Sequence, residues 1–392
     1  MSTKRKNIKL IAELVIMYPF VLMGKLYATL RPLKTKHKVF LLYPNADIGG
    51  SIQVNIDLAN CLKDKNPLII FSKKGKNNQF KYKYDKLNLI IFDIHKMIDN
   101  KLFHFMNFIY RGIIAKWAQQ QKIEAVIGGE CIYFYKVIPH LSKEINRIEI
   151  LHVDKWNKYT IGFIDQISTR VFSTEKLKDK IEKQYLENKI PENYFSKLHF
   201  IENALEIAEY PNNSNNILQI YFIGRGALQK RVHLVAEIAK NIHQTNKPIK
   251  FNFVGDVDKI INPALYPYCN FHGSINDESA LEEIYQKSDV LIMTSSYEGL
   301  PVVVMQMMAH GKVVVSTNVN SIPDYIIHNQ NGLLINATNE LDIIKQGVDH
   351  ILTLYENPAL RKTFGEKSKQ IAKEKFSTEI FCKKYNNLVT NS

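Results

Sequence analysis

Residues 292–332 read IMTSSYEGLPVVVMQMMAHGKVVVSTNVNSIPDYIIHNQNG, and this stretch decides the fold class. The apolar run 289–293 predicts a short buried strand, which ends at the polar residues 294–296. Glu298 follows, and Pro301 precedes an apolar segment, 302–309. Proline suits the first turn of a helix, because the N–H groups of that turn have no acceptor within the helix and proline lacks an N–H. The stretch therefore predicts a strand, a loop and a helix, the repeating unit of an α/β fold.

Glu298 is expected at the carboxyl end of this strand, beside a helix N-terminus. Open α/β sheets bind ligands at that edge, and the free N–H groups of a helix start attract phosphate. Gly299 would let the backbone approach a ligand closely. A carboxylate repels phosphate but accepts hydrogen bonds from hydroxyl groups, as on a sugar. The alternative is an ordinary strand-to-helix turn with a capping glutamate.

The same stretch resembles the donor-site signature of retaining glycosyltransferases of family four, the glycosyl transferases group 1. In that signature a Glu-Gly pair is followed, on the next helix, by a second Glu. Glu298 and Gly299 match the pair, whereas Gln306 stands in place of the second Glu. The resemblance implies an α/β GT-B fold, with two Rossmann-like doubly wound domains that face a cleft. It further implies that Glu298 binds sugar hydroxyls, that the backbone amides of Gly299, Leu300 and Val302 face the donor phosphates, and that Gln306 contacts the ribose.

A second motif of this resemblance lies upstream. Residues 217–223 predict a strand, Gly224-Arg225 follow it, and Lys230 comes shortly afterwards. In the family this pattern binds the donor diphosphate. Fixed cations there stabilise the charge that builds up as the sugar leaves, so Arg225 and Lys230 are candidate donor ligands. The alternative is a solvated basic turn.

The first half of the chain opens with a predicted strand at 38–43, a turn-rich loop and a helix at 52–62. The loop contains Gly49-Gly50 but no G-x-G-x-x-G dinucleotide motif. Family members carry a Gly-Gly here, near the acceptor and the donor phosphates, which makes Gly49 and Gly50 candidates. His152 ends the predicted strand 147–152. A lone histidine is more often structural, but the resemblance places it near the reacting sugar and implies a catalytic role beside Glu298.

A lysine-rich segment lies between the predicted strands 67–71 and 87–92, with lysines at positions 73, 74, 76, 81, 83 and 86. Such charge runs usually lie on the surface, which favours a solvated loop. The alternative is a patch on the cleft side that binds an anionic acceptor.

These patterns predict a domain order. Residues 1–37 form a basic apolar segment, 38–204 an acceptor domain, 205–216 a polar linker, 217–376 the nucleotide-sugar domain, and 377–392 a helix that crosses back to the first domain.

The N-terminal segment is basic and amphipathic. Residues 1–40 hold nine of the Lys and Arg residues but one acidic residue, Glu13, within a chain of net charge +14. The longest uncharged run, 14–24, is shorter than the roughly 20 residues that a membrane-spanning helix needs. We expect an interfacial helix on an anionic membrane surface, kinked at Pro19. The alternatives are a signal peptide and a helix packed on the protein's own surface.

The four cysteines, Cys61, Cys131, Cys269 and Cys382, are widely spaced. This spacing predicts neither a disulfide framework nor a zinc site and fits a reducing cytoplasm.

The function expected from the resemblance is a retaining transfer of sugar from a nucleotide-sugar donor, with UDP as the expected nucleotide. The acceptor would be a glycan or a lipid-linked glycan of bacterial surface polysaccharide or lipopolysaccharide synthesis, reached from the inner face of the cell membrane. No Asp-x-Asp signature indicates a metal, so no metal or other cofactor is expected. Because Gln306 replaces the second Glu, the alternative is a protein that binds a nucleotide-sugar without catalysing transfer. Nucleic-acid binding is not expected, because no accompanying motif is present.

Overall fold

The computed structural model describes residues 15–47, 49–98, 104–152, 160–205, 207, 217–275, 277–298 and 302–390. The chain divides into two compact units. The first contains the residues up to Ala204 and those from Thr378 onward, and the second runs Leu205–Ser377. Of the expected linker 205–216, only Leu205 and Ile207 are among the described residues.

The first unit contains a parallel seven-stranded sheet in the order β3-β2-β1-β4-β5-β6-β7. Its strands are β1 Val39–Tyr43, β2 Leu68–Phe71, β3 Ile91–Asp93, β4 Ala125–Gly129, β5 Asn146–Leu151, β6 Thr169–Phe172 and β7 Leu198–Phe200. Every residue of β1, β2 and β4 is buried, as the apolar runs predict for a sheet covered on both faces. The strand order reverses between β1 and β4, and ligands of doubly wound sheets bind at such a switch point.

Helices flank this sheet. They are α1 Tyr18–Leu30, α2 Gly50–Cys61, α3 Lys81–Lys86, α4 His95–Ile98, α5 His104–Gln121, α6 Ile132–Val137 and α7 Glu175–Glu187. Phe108 and Trp117 of α5 are buried, so its aromatic residues are core. The lysine-rich segment is not loop throughout, since its last part forms α3. The next strand begins later than predicted because Asn88 has a positive φ of 56°, which a strand does not accommodate.

Helix α1 packs on α5 through two glycines. A Cβ atom at Gly24 would lie 1.9 Å from the carbonyl oxygen of Ile109, and one at Gly112 would lie 2.0 Å from that of Val21. Only glycine allows so close an approach of two helix backbones. Pro19 lies in the first turn of α1, and the part of the expected helix before Val15 lies outside the described residues, so the predicted kink stays a prediction. Among the described residues, none of the helices combines the length and the apolar character that crossing a membrane requires.

The second unit contains a parallel six-stranded sheet in the order β10-β9-β8-β11-β12-β13. Its strands are β8 Leu218–Ile223, β9 Ile249–Val254, β10 Asn270–Gly273, β11 Val290–Met293, β12 Val313–Thr317 and β13 Gly332–Ile335. Its helices are α8 Val232–His243, α9 Glu278–Lys287, α10 Val302–Ala309, α11 Glu340–Glu356 and α12 Pro358–Phe376. The switch point lies between β8 and β11, which pair directly.

The last helix, α13 Thr378–Thr390, belongs to the first unit and packs on α2. Its Cys382 forms a disulfide with Cys61 at the end of α2. The prediction that all four cysteines stay unpaired is therefore wrong for these two, whereas Cys131 and Cys269 are free and buried. The two partners are separated by 321 residues in the sequence, but the return of the chain at α13 brings their Cα atoms within 5.0 Å.

Candidate functional site

The predicted donor residues of the second unit meet at its switch point. Lys230 lies in the loop after β8, and Glu298 lies in the loop after β11. The Lys230 ammonium forms an ion pair with the Glu298 carboxylate, and 13% and 7% of the two side chains are exposed. The Ser295 hydroxyl donates to the same carboxylate oxygen at 2.6 Å. The site therefore holds a largely buried carboxylate and a cation in contact, next to the sheet edge where ligands bind.

Arg231 fixes the two loops to each other. Its Nε donates to the carbonyl of Thr294 at 2.6 Å, and its Nη2 donates to that of Ser295 at 3.0 Å. The Thr294 hydroxyl donates back to the Arg231 carbonyl at 2.9 Å. Burial lowers the pKa of Arg231, although the charge of Glu340 opposes that shift. Arg231 thus acts as a bidentate bridge between the loops that carry Lys230 and Glu298.

The backbone of Arg231 is left-handed, with φ 45°, at the start of α8. A non-glycine residue rarely adopts this conformation, and its guanidinium contacts account for its stability here. Sequence reasoning missed Arg231, although it stands directly after Lys230. Nothing in the sequence distinguishes an arginine that binds a ligand from one that binds carbonyl groups across the sheet edge.

Further contacts connect the loops. The Gln229 amide donates to the Tyr297 carbonyl at 2.6 Å, and the Ser296 N–H donates to the Gln229 carbonyl at 2.9 Å. The Thr317 hydroxyl, at the end of β12, donates to the Ser295 carbonyl at 2.6 Å. These residues were also missed; the polar run 294–296 after an apolar strand was their only signal.

Arg225 is exposed at the same sheet edge. Across the part of the chain that the structure describes, no hydrogen bond or ion pair involves its guanidinium. The neighbouring Gly226 N–H donates to the Asp256 carboxylate at 2.9 Å, which anchors this turn. A hydrogen bond from Lys259 and the one from Gly226 lower the pKa of Asp256 to about 2, so Asp256 stays ionised. Arg225 is therefore available to a ligand, whereas its backbone is fixed.

A pocket of about 310 Å³ lies beside these loops, at the ends of β9 and β10. Asp256, Lys259, Phe271, Gly273 and Ser274 are among its lining residues. An aromatic ring with backbone and side-chain polar groups around it suits a flat heteroaromatic ligand.

Helix α10 carries the remaining predicted donor residues. Val302 is exposed, and Gln306 lies one turn later on the same side of the helix, half-buried. The Gln306 carbonyl accepts from the His310 ring at 2.7 Å. Gly299 and Leu300 lie outside the described residues.

The other predicted residues lie in the first unit. Gly49 precedes α2, and Gly50 is its first residue. A Cβ atom added to either glycine would meet no atom of another described residue within 4 Å, so the space in front of this helix start is open. The two glycines follow β1, at the switch point of the first sheet.

His152 directly follows β5. Its N–H donates to the Glu130 carboxylate at 3.3 Å, and its Nε2 has no hydrogen-bond partner among the described residues. Burial lowers the pKa of His152 to about 4, so the ring is neutral at pH 7. Within the described ranges, no group of three or more His, Cys, Asp or Glu side chains has a geometry that could hold a metal ion.

The structure therefore brings Lys230 and Glu298 into contact, places Arg225 on the same loop as Lys230, and places Gln306 on α10, the helix after the Glu298 loop. Gly49, Gly50 and His152 belong to the first unit.

Known proteins resemble this chain in sequence and in fold. Residues 206–371 match the family Glycosyl transferases group 1. The poly(ribitol-phosphate) alpha-N-acetylglucosaminyltransferase of Staphylococcus aureus (strain COL) is 27% identical over 270 residues, which are 65% of this chain and 50% of that protein. The amylovoran biosynthesis glycosyltransferase AmsD of Erwinia amylovora is 23% identical over 251 residues, 57% of this chain and 68% of the relative.

Among solved structures, HepE of Anabaena in complex with UDP and glucose superposes with a TM-score of 0.65 at 15% identity, covering 91% of this chain and 100% of the other. This likeness concerns the fold. The chain thus carries a glycosyl transferases group 1 domain and has the GT-B fold, with two Rossmann-like units. It spans about half of the length of its Staphylococcus aureus relative.

Proposed function

We propose that this protein is a retaining glycosyltransferase that moves a sugar from a UDP-linked donor to a glycan or lipid-linked glycan of bacterial surface polysaccharide or lipopolysaccharide synthesis. The observation that carries this proposal is the Lys230–Glu298 pair beside the exposed Arg225. A nucleotide-sugar needs cations at its diphosphate and hydrogen-bond acceptors at its sugar hydroxyls, and this site has both at one sheet edge.

In the proposed reaction the ion pair exchanges its partners. Arg225 and Lys230 bind the diphosphate oxygens, and the Glu298 carboxylate then accepts hydrogen bonds from the sugar. Ser295 donates to the Glu298 carboxylate and Arg231 bridges the two loops, so both groups are held in place before the donor binds. Such preorganised charges act on the transition state without a later cost of reorganisation.

The chemical step breaks the bond between the anomeric carbon and the phosphate oxygen, and the diphosphate leaves with the electron pair. The acceptor hydroxyl oxygen attacks the anomeric carbon from the same face, which retains the configuration. Its proton goes to the departing phosphate oxygen, so no strong enzyme base is needed. His152, neutral at pH 7, would act as a hydrogen-bonding group near the acceptor and not as a cation.

Two relatives support the acceptor class. One is named for poly(ribitol-phosphate) and the other for amylovoran biosynthesis. The donor assignment draws support from HepE, whose structure contains UDP and glucose. We also propose that transfer needs no metal ion, since Arg225 and Lys230 supply the positive charge at the diphosphate. The pocket at Phe271 and Gly273 would take the base.

A thermal-shift screen of nucleotide sugars, followed by a transfer assay with NMR of the anomeric configuration, tests this function. Arg225→Ala and Lys230→Ala should each lower turnover by about 10²-fold or more. Lys287→Ala is the matched control, because Lys287 is an exposed lysine of the same unit that pairs with Glu283. Near-normal rates in both site variants would refute the diphosphate role. Donor binding without hydrolysis or transfer would favour the non-catalytic alternative that Gln306 suggests.

We further propose that the protein works as a peripheral protein on the cytoplasmic face of the cell membrane, which follows from the nucleotide-sugar donor and from α1. Helix α1 buries a narrow strip, Val21, Gly24 and Ala28, against α5. Its opposite side is apolar and exposed: Leu22, Leu26 and Leu30 expose 48%, 63% and 73% of their surface. Residues 15–46 contain five Lys or Arg residues and no acidic residue. An apolar helix face with basic neighbours is the pattern of an interfacial helix on anionic lipid.

Sedimentation with vesicles of equal parts phosphatidylcholine and phosphatidylglycerol tests this placement. The variant with Leu22, Leu26 and Leu30 changed to Gln should sediment several-fold less. The control changes Leu186, Leu228 and Leu341, which are equally exposed leucines elsewhere, to Gln. High salt should weaken binding only in part, because apolar insertion is not screened. Equal sedimentation of the α1 variant and the wild type would refute the membrane role of α1.

A further inference from the structure

A short basic loop follows β2 in the first unit. Residues 72–80 read SKKGKNNQF, and this segment, here called the basic loop, contains Lys73, Lys74 and Lys76 but no acidic residue. All three lysines are exposed. The sequence left two interpretations of these lysines, a solvated surface and a patch for an anionic acceptor. The contacts of the loop distinguish the two.

The basic loop is fastened along the loop that leads from β1 to Gly49. The Lys73 N–H donates to the Pro44 carbonyl and the Phe80 N–H donates to the Ala46 carbonyl, each at 2.9 Å. Since β1 and β2 are neighbours in the sheet, both loops leave it at the same edge. The basic loop is thus fixed beside the open space at the start of α2.

Asp47 fastens the centre of the basic loop. Its carboxylate accepts hydrogen bonds from the N–H groups of Lys76, Asn77 and Asn78, each at 3.0 Å. Partial burial would raise the pKa of Asp47, but these N–H groups and the Lys76 charge outweigh it and hold the pKa below its usual range. Asp47 is therefore committed to backbone groups, and no carboxylate of a described residue pairs with the ammonium groups of the three lysines.

Two lysines that follow the basic loop have hydrogen-bonding partners of their own. Lys81 binds Asp85 at 2.8 Å, and Lys83 donates to Gln53, in the first turn of α2, at 2.6 Å. In contrast, no hydrogen bond or ion pair joins the ammonium groups of Lys73, Lys74 and Lys76 to another described residue. Ordering a loop costs conformational entropy, and a loop that is merely solvated does not need this order. The ordered loop with its unpaired lysines therefore favours the interpretation as a binding patch.

We propose that Lys73, Lys74 and Lys76 form a binding site for an acidic glycan, which is the acceptor chain of the transfer reaction. This inference rests on the proposed function and specifies its acceptor as a chain with repeated phosphodiester or carboxylate groups. Lysines suit such a chain because they are flexible point charges, which attract successive anions without the fixed geometry that arginine imposes. The adjacent Gly49-Gly50 turn leaves room for the end of the chain at the switch point of the sheet.

Binding of a glycerol-phosphate oligomer to the full chain, measured by calorimetry at low salt, tests the site. Changing the three lysines to Gln should weaken binding about tenfold, the sum expected from three exposed charge contacts. The matched control changes Lys176, Lys183 and Lys189, which are exposed lysines of the same unit, to Gln and should bind and transfer as the wild type does. The affinity for a neutral oligosaccharide of equal length should be the same for the wild type and for all variants.

The variant Asp47→Asn distinguishes binding at an ordered loop from non-specific electrostatic attraction. This substitution raises the net charge by one unit, so a purely non-specific attraction would strengthen. If the basic loop must be held in place, the oligomer should instead bind several-fold more weakly, while the thermal unfolding midpoint shows that the unit stays folded. Tighter binding by Asp47→Asn would overturn the proposal.

Further outcomes would overturn it as well. Equal loss in the two lysine triple variants would mean non-specific attraction. Lysine-dependent binding to phosphatidylglycerol vesicles without binding to the oligomer would mean a lipid site. Donor binding by the wild type, measured separately with UDP-sugars, reports on the proposed function. An inactive donor site with intact oligomer binding would refute the transferase assignment, and the reverse result would refute only this acceptor site.

Discussion

Each unit contains a carboxylate paired with a basic side chain, and the two pairs differ in their surroundings. Glu149 and Arg170 lie on the neighbouring strands β5 and β6, with Nε and Oε2 2.6 Å apart and with 0% and 2% of their side chains exposed. Lys230 and Glu298 lie on loops at the end of a sheet. The first pair is enclosed within the core, whereas the second lies at the sheet edge and is slightly more exposed, at 13% and 7% of the two side chains.

The first pair also has more side-chain and backbone partners around it. The Tyr135 hydroxyl donates to Glu149. Arg170 donates from Nη1 to the Tyr185 hydroxyl at 2.6 Å and from Nη2 to the Thr160 carbonyl at 2.8 Å. The Lys230–Glu298 pair has Ser295 as its one additional side-chain partner among the described residues. Position, not charge, therefore separates the core pair from the proposed donor pair: the first lies on strands inside the core, and the second lies on loops at the sheet edge where ligands bind.

The largest expected difference between the pairs concerns stability. Arg170→Met should lower the free energy of unfolding by about 3–5 kcal/mol, because it leaves Glu149 as an uncompensated buried charge. Lys230→Met should cost less, since Lys230 and Glu298 lie on loops and keep 13% and 7% of their side chains exposed, against 2% and 0% for Arg170 and Glu149. Urea unfolding of the two variants, each with its own m-value, checks this comparison. Equal destabilisation would show that the donor pair is as structural as the core pair.

Acid should act on the first unit through two half-buried histidines, His152 and His140. Burial lowers the pKa of His152 to about 4, and burial together with Arg111 and Lys25 does the same for His140. The unfolded chain binds these protons near pH 6.5, so stability should fall as the pH drops from 6.5 to about 4 and then level off. The loss is roughly 3 kcal/mol for each histidine. The free energy of unfolding, measured at several pH values for the wild type, His152→Gln and His140→Gln, checks this prediction. If its slope against pH is the same in both variants as in the wild type, the prediction is wrong.

Glu298 should be indispensable for turnover but not for folding. Glu298→Ala removes the acceptor of a sugar hydroxyl in the site, and we expect turnover to fall by about 10²-fold or more with an unchanged fold. Steady-state rates of donor hydrolysis and transfer measure the effect. Glu283→Ala, at an exposed helix position of the same unit, is the control. An active Glu298→Ala variant would remove the catalytic assignment and leave the pair as a structural contact.

Arg231 should contribute by positioning. Arg231→Gly keeps the left-handed backbone, which glycine accepts, but removes the bridge to Thr294 and Ser295. Arg231→Lys keeps the positive charge but lacks the bidentate geometry of the guanidinium. Both variants should lower kcat by about tenfold, since two charge-assisted hydrogen bonds are lost. Comparable rates for Arg231→Lys and the wild type would show that charge alone is needed.

The smallest effect is expected at Gln306. If Gln306 contacts the ribose, Gln306→Glu should change the apparent donor affinity by a few-fold and leave the saturated rate similar. Initial rates across a range of donor concentrations give KM and kcat separately and so measure this. New turnover in Gln306→Glu together with an inactive wild type would instead indicate the non-catalytic alternative.

The sequence alone determined the element order. The apolar run 289–293 became β11, the run 217–223 became β8, and Pro301 preceded a helix, because burial patterns and helix-start preferences act over a few residues. It also marked Arg225, Lys230 and Glu298 through motifs at strand ends. Parallel strands in a doubly wound order bring such ends to one edge, so the candidate site followed from strand order.

Only the tertiary structure decided which side chains meet. Lys230 and Glu298 are 68 residues apart in the chain, and their ion pair depends on β8 lying beside β11. The Cys61–Cys382 disulfide depends on the return of α13 to α2, and the bridge made by Arg231 depends on one left-handed residue. The role of the lysine-rich segment depends on Asp47 binding three backbone N–H groups across two loops. Contacts between distant residues are set by the packing of whole elements, which no local pattern encodes.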